Sequence, residues 1–500
     1  MTDLLAAAPL VAVMTILIVP GARVLAAMAS GLLLVSAIAL ARSPFALSTE
    51  AWLDAILSGL STTIPVAYVL LGGITLAGVM RAGGALRTIS SALLEQLPDP
   101  LHRTLALVFG VAVFFESVTG FGVGAVVCAP IFVALGLAPW RAASLSLLGL
   151  NGVTWGALAI GTHLGATLAG IEADRLSTLA VLLSLPYWLV VGALALRIAG
   201  IGGRMLRRFV WLVVYVGLLG LLLVAVTRRL TFELAGAVAG PLLFAAATRL
   251  ARLKRRDPAT GVRPTRGDGK ATTPDLRRSL IPFALLLAGL SLLRMPGPLA
   301  RWASDAALFT LPSGGWQLAP IGHPGTWMLL AAMSALIALP EARRDLGLQA
   351  RVIARSWSMA AIVVAGFLVF ASIMTSAGMT AHLAARLTSL TGSHFVWLVA
   401  PIGALGGFLT GSNTGGNAML MQIQLAAAKA IGLPSDWVAA AQNAAGANAT
   451  LASPGRLILA SHLTGCAGSE GRLLRLLGPV IVAGTLGTAL ILVIAQSASG

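Results

Sequence analysis

The sequence predicts an all-α polytopic membrane protein: about twelve transmembrane helices plus two opposed re-entrant hairpins, arranged as an inverted repeat. Three observations carry this expectation. Hydrophobic residues make up 58% of the chain and charged residues only 10%, with a mean hydropathy of +0.92. A water-facing surface needs roughly 25% charge, so this chain faces lipid. Apolar runs near 20 residues recur along it, the length that crosses a ~30 Å hydrocarbon core as a helix. Finally, two apolar regions are cut near their middles by glycine-rich polar runs, and they occupy matching places in the two halves.

The expected spans are 4–19, 22–41, 62–80, 142–170, 176–196, 209–226, 231–247, 280–293, 326–339, 357–376, 436–462 and 477–495. The first run lacks a basic leader and a second span follows at once, which reads as a retained helix and not a cleaved signal. The interrupted regions are 104–137, cut by Ser117-Val118-Thr119-Gly120-Phe121-Gly122, and 395–433, cut by Thr410-Gly411-Ser412-Asn413-Thr414-Gly415-Gly416-Asn417. Arms of about 12 to 16 residues reach roughly 18–24 Å, only to mid-bilayer. Irregular backbone survives at that depth where protein or a wet cavity satisfies it.

Charge gives the orientation. The net charge of +17 sits mostly between apolar runs, which excludes a nucleic-acid binder and fits cytoplasmic loops. The loop 249–279 carries ten Lys/Arg, 197–208 carries four, and Arg343, Arg344, Arg351 and Arg355 form a third basic stretch. All three fall on one side of the proposed topology, and the acidic connector Glu172-Ala173-Asp174 falls on the other. On this count the first hairpin enters from the cytoplasm and the second from outside, as an inverted repeat requires. The arginine-rich, lysine-poor composition points to a bacterium, hence to its inner membrane.

The repeat shows in the letters as well. Phe115-Glu116-Ser117-Val118-Thr119-Gly120 answers Thr410-Gly411-Ser412-Asn413-Thr414-Gly415, with Ser, Thr and Gly in register, and Gly136-Leu137 answers Gly432-Leu433. Each hairpin precedes an interrupted span: 142–170 contains Asn151-Gly152 and Gly161-Thr162-His163, while 436–462 contains Asn443, Asn448 and Ser453-Pro454-Gly455. Paired, interrupted segments in two halves point to the central site of a secondary transporter. Close packing of glycine-rich helices is the plainer alternative.

Of seventeen acids, Glu116 alone lies deep in an apolar segment; Glu233 is its nearest rival. An ionised carboxylate in lipid costs several kcal/mol, and desolvation favours its neutral form, as a proton-coupling group requires. His163 is a second proton-coupling candidate. Arg456 is the one arginine well inside a span, suited to clamp a carboxylate bidentately or to snorkel to the interface. Ser117, Thr119, Gly120, Asn151, Ser412, Asn413, Thr414, Asn417 and Ser453 offer hydroxyl, amide and backbone groups for substrate binding, or for capping half-helices. Cys128 and Cys466 read as two lone small hydrophobes. No metal-spaced cluster, nucleotide loop or nucleophile elbow appears, so no catalytic residue, metal or cofactor is expected. A membrane-embedded enzyme or a complex subunit is the alternative of another class, and an absence of solute flux in proteoliposomes would favour it.

These segments resemble the lactate permease family. The likeness runs through Phe114-Phe115-Glu116-Ser117-Val118-Thr119-Gly120-Phe121-Gly122, Gly136-Leu137 and Leu150-Asn151-Gly152-Val153-Thr154-Trp155-Gly156-Ala157. In the second half it covers Ile402-Gly403-Ala404-Leu405-Gly406, Thr410-Gly411-Ser412-Asn413-Thr414, Asn417, Gly432-Leu433-Pro434 and Ser453-Pro454. The chain departs from the family pattern at Gly152-Val153-Thr154-Trp155, Gly161-Thr162-His163 and Gly455-Arg456. The resemblance implies proton-coupled uptake of lactate, glycolate or a similar 2-hydroxy acid. The Ser-x-Thr tips also look like those of sodium-coupled carboxylate transporters, which implies an elevator-type motion of a transport part against a scaffold, with sodium as the alternative coupling ion. The division that follows is 1–61 scaffold, 62–197 first repeat with hairpin 104–137, 198–356 scaffold with loop 249–279, and 357–500 second repeat with hairpin 395–433. The expected partners are a small organic anion, protons and the lipid bilayer, with no nucleic acid; a homo-oligomer is left open.

Overall fold

Sixteen-residue and longer apolar runs fold as helices because, in lipid, only a helix satisfies every backbone group within its own segment. The computed structural model describes residues 1–18, 24–94, 96, 99–253, 274–294, 302, 309–310 and 317–499. Most of the basic loop 249–279 lies outside them. The first half comprises α1 (Thr2–Ile18), α2 (Val24–Leu40), α3 (Thr49–Ala82), α4 (Ala85–Leu94), α5 (Pro100–Ala106), a π-helical turn (Leu107–Val111), α6 (Ala112–Thr119), α7 (Val123–Ala134), α8 (Pro139–Leu148), α9 (Gly156–Ala169), α10 (Ala173–Ile198), α11 (Met205–Arg229) and α12 (Ala235–Leu253). Then follow α13 (Leu276–Arg294), α14 (Pro324–Ala338), α15 (Leu346–Ser376), α16 (Met379–Thr391), α17 (Phe395–Thr410), α18 (Asn413–Ala430), α19 (Ser435–Ala449), α20 (Pro454–Thr464) and α21 (Glu470–Ser499). Strand among the described residues is confined to a ribbon pairing Phe309–Thr310 with Gln317–Leu318.

All twelve expected spans fall on helix, but length sorts them differently. Among the described residues, ten helical stretches are long and apolar enough to cross a membrane. Helices α1 and α2 have 17 residues each and α14 has 15, so all three fall short of that length. The expected span 436–462 is two short helices, α19 and α20, joined by a 3₁₀ turn. Two long stretches take their place in the count: Pro100–Thr119, the first arm of the first interrupted region, and Met379–Thr410, which joins α16 to α17. Helices α4 and α16 were not foreseen.

The two interrupted regions are helix–break–helix units. Gly120 (φ 66°, ψ −158°) and Gly122 (φ 79°) hold the first break in conformations that glycine adopts freely, with Phe121 (φ 54°) between them. The second break is a left-handed Gly411 followed by Ser412, whose hydroxyl accepts the Gly415 N–H and so caps α18. This corrects the register read from the letters. Ser117 and Thr119 close the helix before the first break, whereas Ser412 and Thr414 flank the start of the helix after the second. The pairs are not equivalent by position. The following segments are both discontinuous: α8 and α9 flank a 3₁₀ stretch (Gly149–Trp155), and α19 and α20 flank Thr450–Ala452. Gly161-Thr162-His163, Asn443 and Asn448 lie within regular helix, not at these breaks.

Helices α3, of 34 residues, and α15, of 31, pack along each other as a wall, with α14 and α2 against them. Small residues let the backbones close up, as they must where lipid offers no hydrophobic drive between helices. A Cβ on Gly59 would lie 2.6 Å from the Val369 Cα, and one on Gly407 of α17 would lie 1.9 Å from the Gly446 carbonyl oxygen of α19. Gly236 and Gly240 of α12, four residues apart, admit Ser117 and the Gly110 carbonyl in the same way. Gly407→Ala is therefore expected to lower the thermal midpoint of the purified protein, at a cost of about 1–3 kcal/mol for overpacking. Gly478→Ala, where a Cβ would meet nothing within 4 Å, is expected to leave it unchanged or raise it. Equal midpoints for the two variants would contradict the α17–α19 packing.

Candidate functional site

The site is built where the first break meets the second discontinuous segment. Glu116 lies one turn before Gly120 in α6, and its side chain is 1% exposed. Past the break the chain turns back, so that the Gly122 N–H donates to the Glu116 carboxylate at 3.1 and 3.4 Å to its two oxygens. Arg456 stands at the third position of α20, after Ser453 and the helix-starting Pro454. Its Nη2 donates to Glu116 Oε1 at 3.3 Å, across 340 residues of sequence, and its side chain is 12% exposed. Arg456 is therefore a largely covered partner of Glu116. Its Nη1 is buried and makes no hydrogen bond. One tine of the guanidinium fork is committed to Glu116 and the other is not.

Around this pair the backbone is forced. Ala157, Leu158 and Ala159 are all left-handed (φ 41°, 50° and 63°), a cost of roughly 1–2 kcal/mol per residue outside glycine. That turn packs on the first break: a Cβ on Gly120 would lie 2.9 Å from the Ala157 Cβ. Gly156 brings its backbone beside Glu116 itself.

A second polar centre joins the halves through Asn443 of α19. Its Oδ1 accepts from Asn413 Nδ2 and Asn417 Nδ2, both at 2.8 Å, and its Nδ2 donates to Thr162 Oγ1 at 3.1 Å. Asn417 Nδ2 also donates to the Gly161 carbonyl at 3.0 Å, and Thr162 to the Thr154 carbonyl. The Oδ1 atoms of Asn413 and Asn417 are buried without a partner.

Between the two breaks and the α3–α15 wall lies a cavity of about 500 Å³. Phe121 lines it from the first break, and Thr410, Ser412 and Thr414 from the second; Arg81 of α3 and Ser356 of α15 line the wall side. Leu459, one turn after Arg456 in α20, also faces it.

The whole chain matches the family model described as L-lactate permease, over residues 2–314 and 312–497. The chain belongs to the L-lactate permease family. It is thus a transporter and not an enzyme, and a multi-pass membrane protein. It is 24% identical to an L-lactate permease of Streptococcus iniae over 75% of this chain and 80% of that one. It is 26% identical to an L-lactate permease of Halalkalibacterium halodurans (87% and 84%), and 23% identical to a glycolate permease of Escherichia coli (82% and 81%). Among solved structures it is similar to the YdaH transporter of Alcanivorax borkumensis, 18% identical, with a TM-score of 0.47 over 87% and 86% of the two chains.

Within this permease, the expected site residues separate. Ser412 and Thr414 line the cavity; Glu116 and Arg456 pair with each other and are not among its lining residues, though Phe121 and Leu459, near them in sequence, are. Asn413 and Asn417 join the amide centre. Ser453 is buried next to Gly411. The others lie in helix or at the first break, with these contacts. Ser117 presses on Gly236 of α12, Thr119 bonds the Phe115 carbonyl of its own helix, and Gly120 turns the break. Asn151 donates to the Val108 carbonyl at the π-helical turn and to the Leu148 carbonyl (both 3.0 Å). His163 stacks on Phe232 at a centroid distance of 6.1 Å. Thr410, Phe121, Arg81, Ser356, and the hub roles of Asn443 and Thr162, were missed.

Breaking a buried ion pair from one side strands a charge, at about 3–5 kcal/mol, whereas removing both charges costs far less. Arg456→Gln is therefore expected to lower the thermal midpoint more than the Glu116→Gln, Arg456→Gln double variant does. A double variant less stable than both single variants would show that the pair is not closed in the folded permease.

Proposed function

We propose that this permease imports a small 2-hydroxy monocarboxylate by proton symport across the bacterial inner membrane, and that the Glu116–Arg456 pair is the coupling element. The observation that carries the reading is the pair itself: a buried acid held by an arginine with an uncommitted nitrogen, at the break whose Phe121 lines the cavity. Lactate and glycolate, the substrates named for the relatives, fit as the substrate class.

Charge balance supplies the coupling. With no substrate, Glu116 and Arg456 sum to zero. A substrate carboxylate that engages the Arg456 fork bidentately displaces Glu116. Left ionised, the assembly would carry one net negative charge into the membrane, at several kcal/mol. If Glu116 takes up a proton, the sum returns to zero. Only the empty pair and the substrate-plus-proton state then cross readily, so anion and proton travel together. The motion in this reading is elevator-type: the two units act as opposed re-entrant hairpins and move, with their discontinuous segments, against the α3–α15 wall.

Glu116→Gln tests it. The loaded variant stays neutral, so exchange of labelled lactate between equal pools is expected to persist with little pH dependence. The empty variant holds an uncompensated Arg456, so accumulation driven by a pH gradient is expected to be lost. Retained accumulation in a folded Glu116→Gln protein would make the acid structural and His163 the next proton-coupling candidate. A sodium-coupled reading has one observation in its favour, the unpartnered Oδ1 atoms of Asn413 and Asn417, which are oxygen ligands of the kind a hard cation takes. Wild-type uptake at fixed pH is expected to be the same with and without sodium, and a requirement for sodium would move the coupling to that centre. Orientation is checked with single cysteines at Thr265 and Ser304, both outside the described residues: only Ser304→Cys should label from outside, and equal labelling would end the topology.

A further inference from the structure

The cavity raises a question that the coupling pair does not answer. In this structure Arg456 is occupied by Glu116, so the pair presents no net charge to an anion in the cavity. Among the described residues lining that space, Arg81 is the one charged side chain. It stands in the last turn of α3, before the Gly83 cap, and α15 packs directly beside it, where a Cβ on Gly78 would touch Ile353 at 3.1 Å. The tip hydroxyls of Thr410, Ser412 and Thr414 are supplied by the other side of the cavity. The volume of about 500 Å³ far exceeds what a three-carbon hydroxy acid fills, so the substrate has room to leave the tips and remain inside.

We infer that Arg81 is a second anion station: at the C-terminal end of α3, the cytoplasmic end on the topology expected from the basic loops, it holds the substrate carboxylate after release from Arg456 and before escape. The inference rests on the transport reading and assigns to it a specificity-determining residue on the wall. Arg81 is exposed, at the helix end where a span meets water. Its attraction for a carboxylate is accordingly screened by salt, over a Debye length of about 8–10 Å, and it favours fast capture and loose holding. A guanidinium selects a planar carboxylate over a neutral hydroxy compound, which extends anion selection to the wall. The two arginines then divide the labour. Arg456 takes the substrate in exchange for Glu116, and Arg81 takes it without displacing any acid and hence without moving a proton.

Lactate transport by oriented proteoliposomes tests this, with KM measured separately from the cytoplasmic and the outer face. Arg81→Gln is expected to raise the cytoplasmic-face KM about tenfold, to leave the outer-face KM near wild type, and to abolish the rise of the cytoplasmic-face KM with ionic strength. Arg81→Lys keeps the charge and loses the fork, so it is expected to raise that KM about threefold and keep the salt dependence. Unchanged cytoplasmic-face KM, or equal rises at both faces, would overturn the assignment. If Arg81→Gln fails to reach the membrane, Arg81→Lys and the salt dependence of the wild type decide in the same way. Wild-type protein that moves neither lactate nor glycolate would sink the transport reading itself, a result distinct from a wild type that transports with Arg81 inert.

Discussion

An ionised carboxylate and a guanidinium inside a helical bundle each carry a desolvation penalty of several kcal/mol, and Glu116 and Arg456 offset it by facing each other at 3.3 Å. Much of the surrounding backbone is explained by the need to bring these two groups together. Glu116 requires a helix that stops one turn later, so that the returning chain can aim the Gly122 N–H at it. Arg456 requires a helix that starts just before it, which is the work of the Thr450–Ala452 turn and Pro454. The two charges come from opposite ends of the chain, so neither half of the molecule holds a satisfied site alone.

The elements that place the pair share a physical logic. Where the backbone must depart from helix, glycine absorbs the positive φ at 120, 122 and 411, and the residues without that freedom, Ala157 to Ala159, are clamped by packing against the first break. Where helices must come within backbone contact, glycine again removes the Cβ, at Gly236, Gly240 and Gly407. Where polar groups are unavoidable, amides repair them: Asn151 bonds the carbonyl at the π-helical turn, and Asn443 gathers Asn413, Asn417 and Thr162 into one centre across the two halves. At the acidic connector side, Arg175 of α10 pairs with Asp436 of α19, a further tie between the two halves.

What could be read from the letters follows from these causes. A polar, glycine-rich run inside an apolar segment has few explanations in lipid, so both breaks and both discontinuous segments were legible, and Glu116 and Arg456 each stood out as lone charges. Their pairing was not legible, because a contact across 340 positions leaves no local pattern. The Ser-x-Thr register misled because identical letters serve before one break and after the other. Helix α4 escaped because its buried face, with Ala85, Leu86 and Ile89, is too short to register as a span. Arg81 escaped because an arginine at a span end reads as an interfacial anchor, and only the fold shows a cavity there. In the sequence Thr410 marks only the edge of a polar run, whereas in the fold it lines the cavity and its hydroxyl accepts the Ser412 N–H.

The proposed coupling is one exchange, in which a substrate carboxylate takes the place of Glu116 on Arg456 and a proton takes the place of Arg456 on Glu116. Proton uptake on substrate binding measures that exchange directly, in weakly buffered detergent solution with a pH-indicating dye and no membrane gradient. Linkage requires about one proton taken up per lactate bound by the wild-type protein near neutral pH, and close to none by Glu116→Gln at matched occupancy. Lactate binding by the wild type without proton uptake, or undiminished uptake in the glutamine variant, would contradict the account.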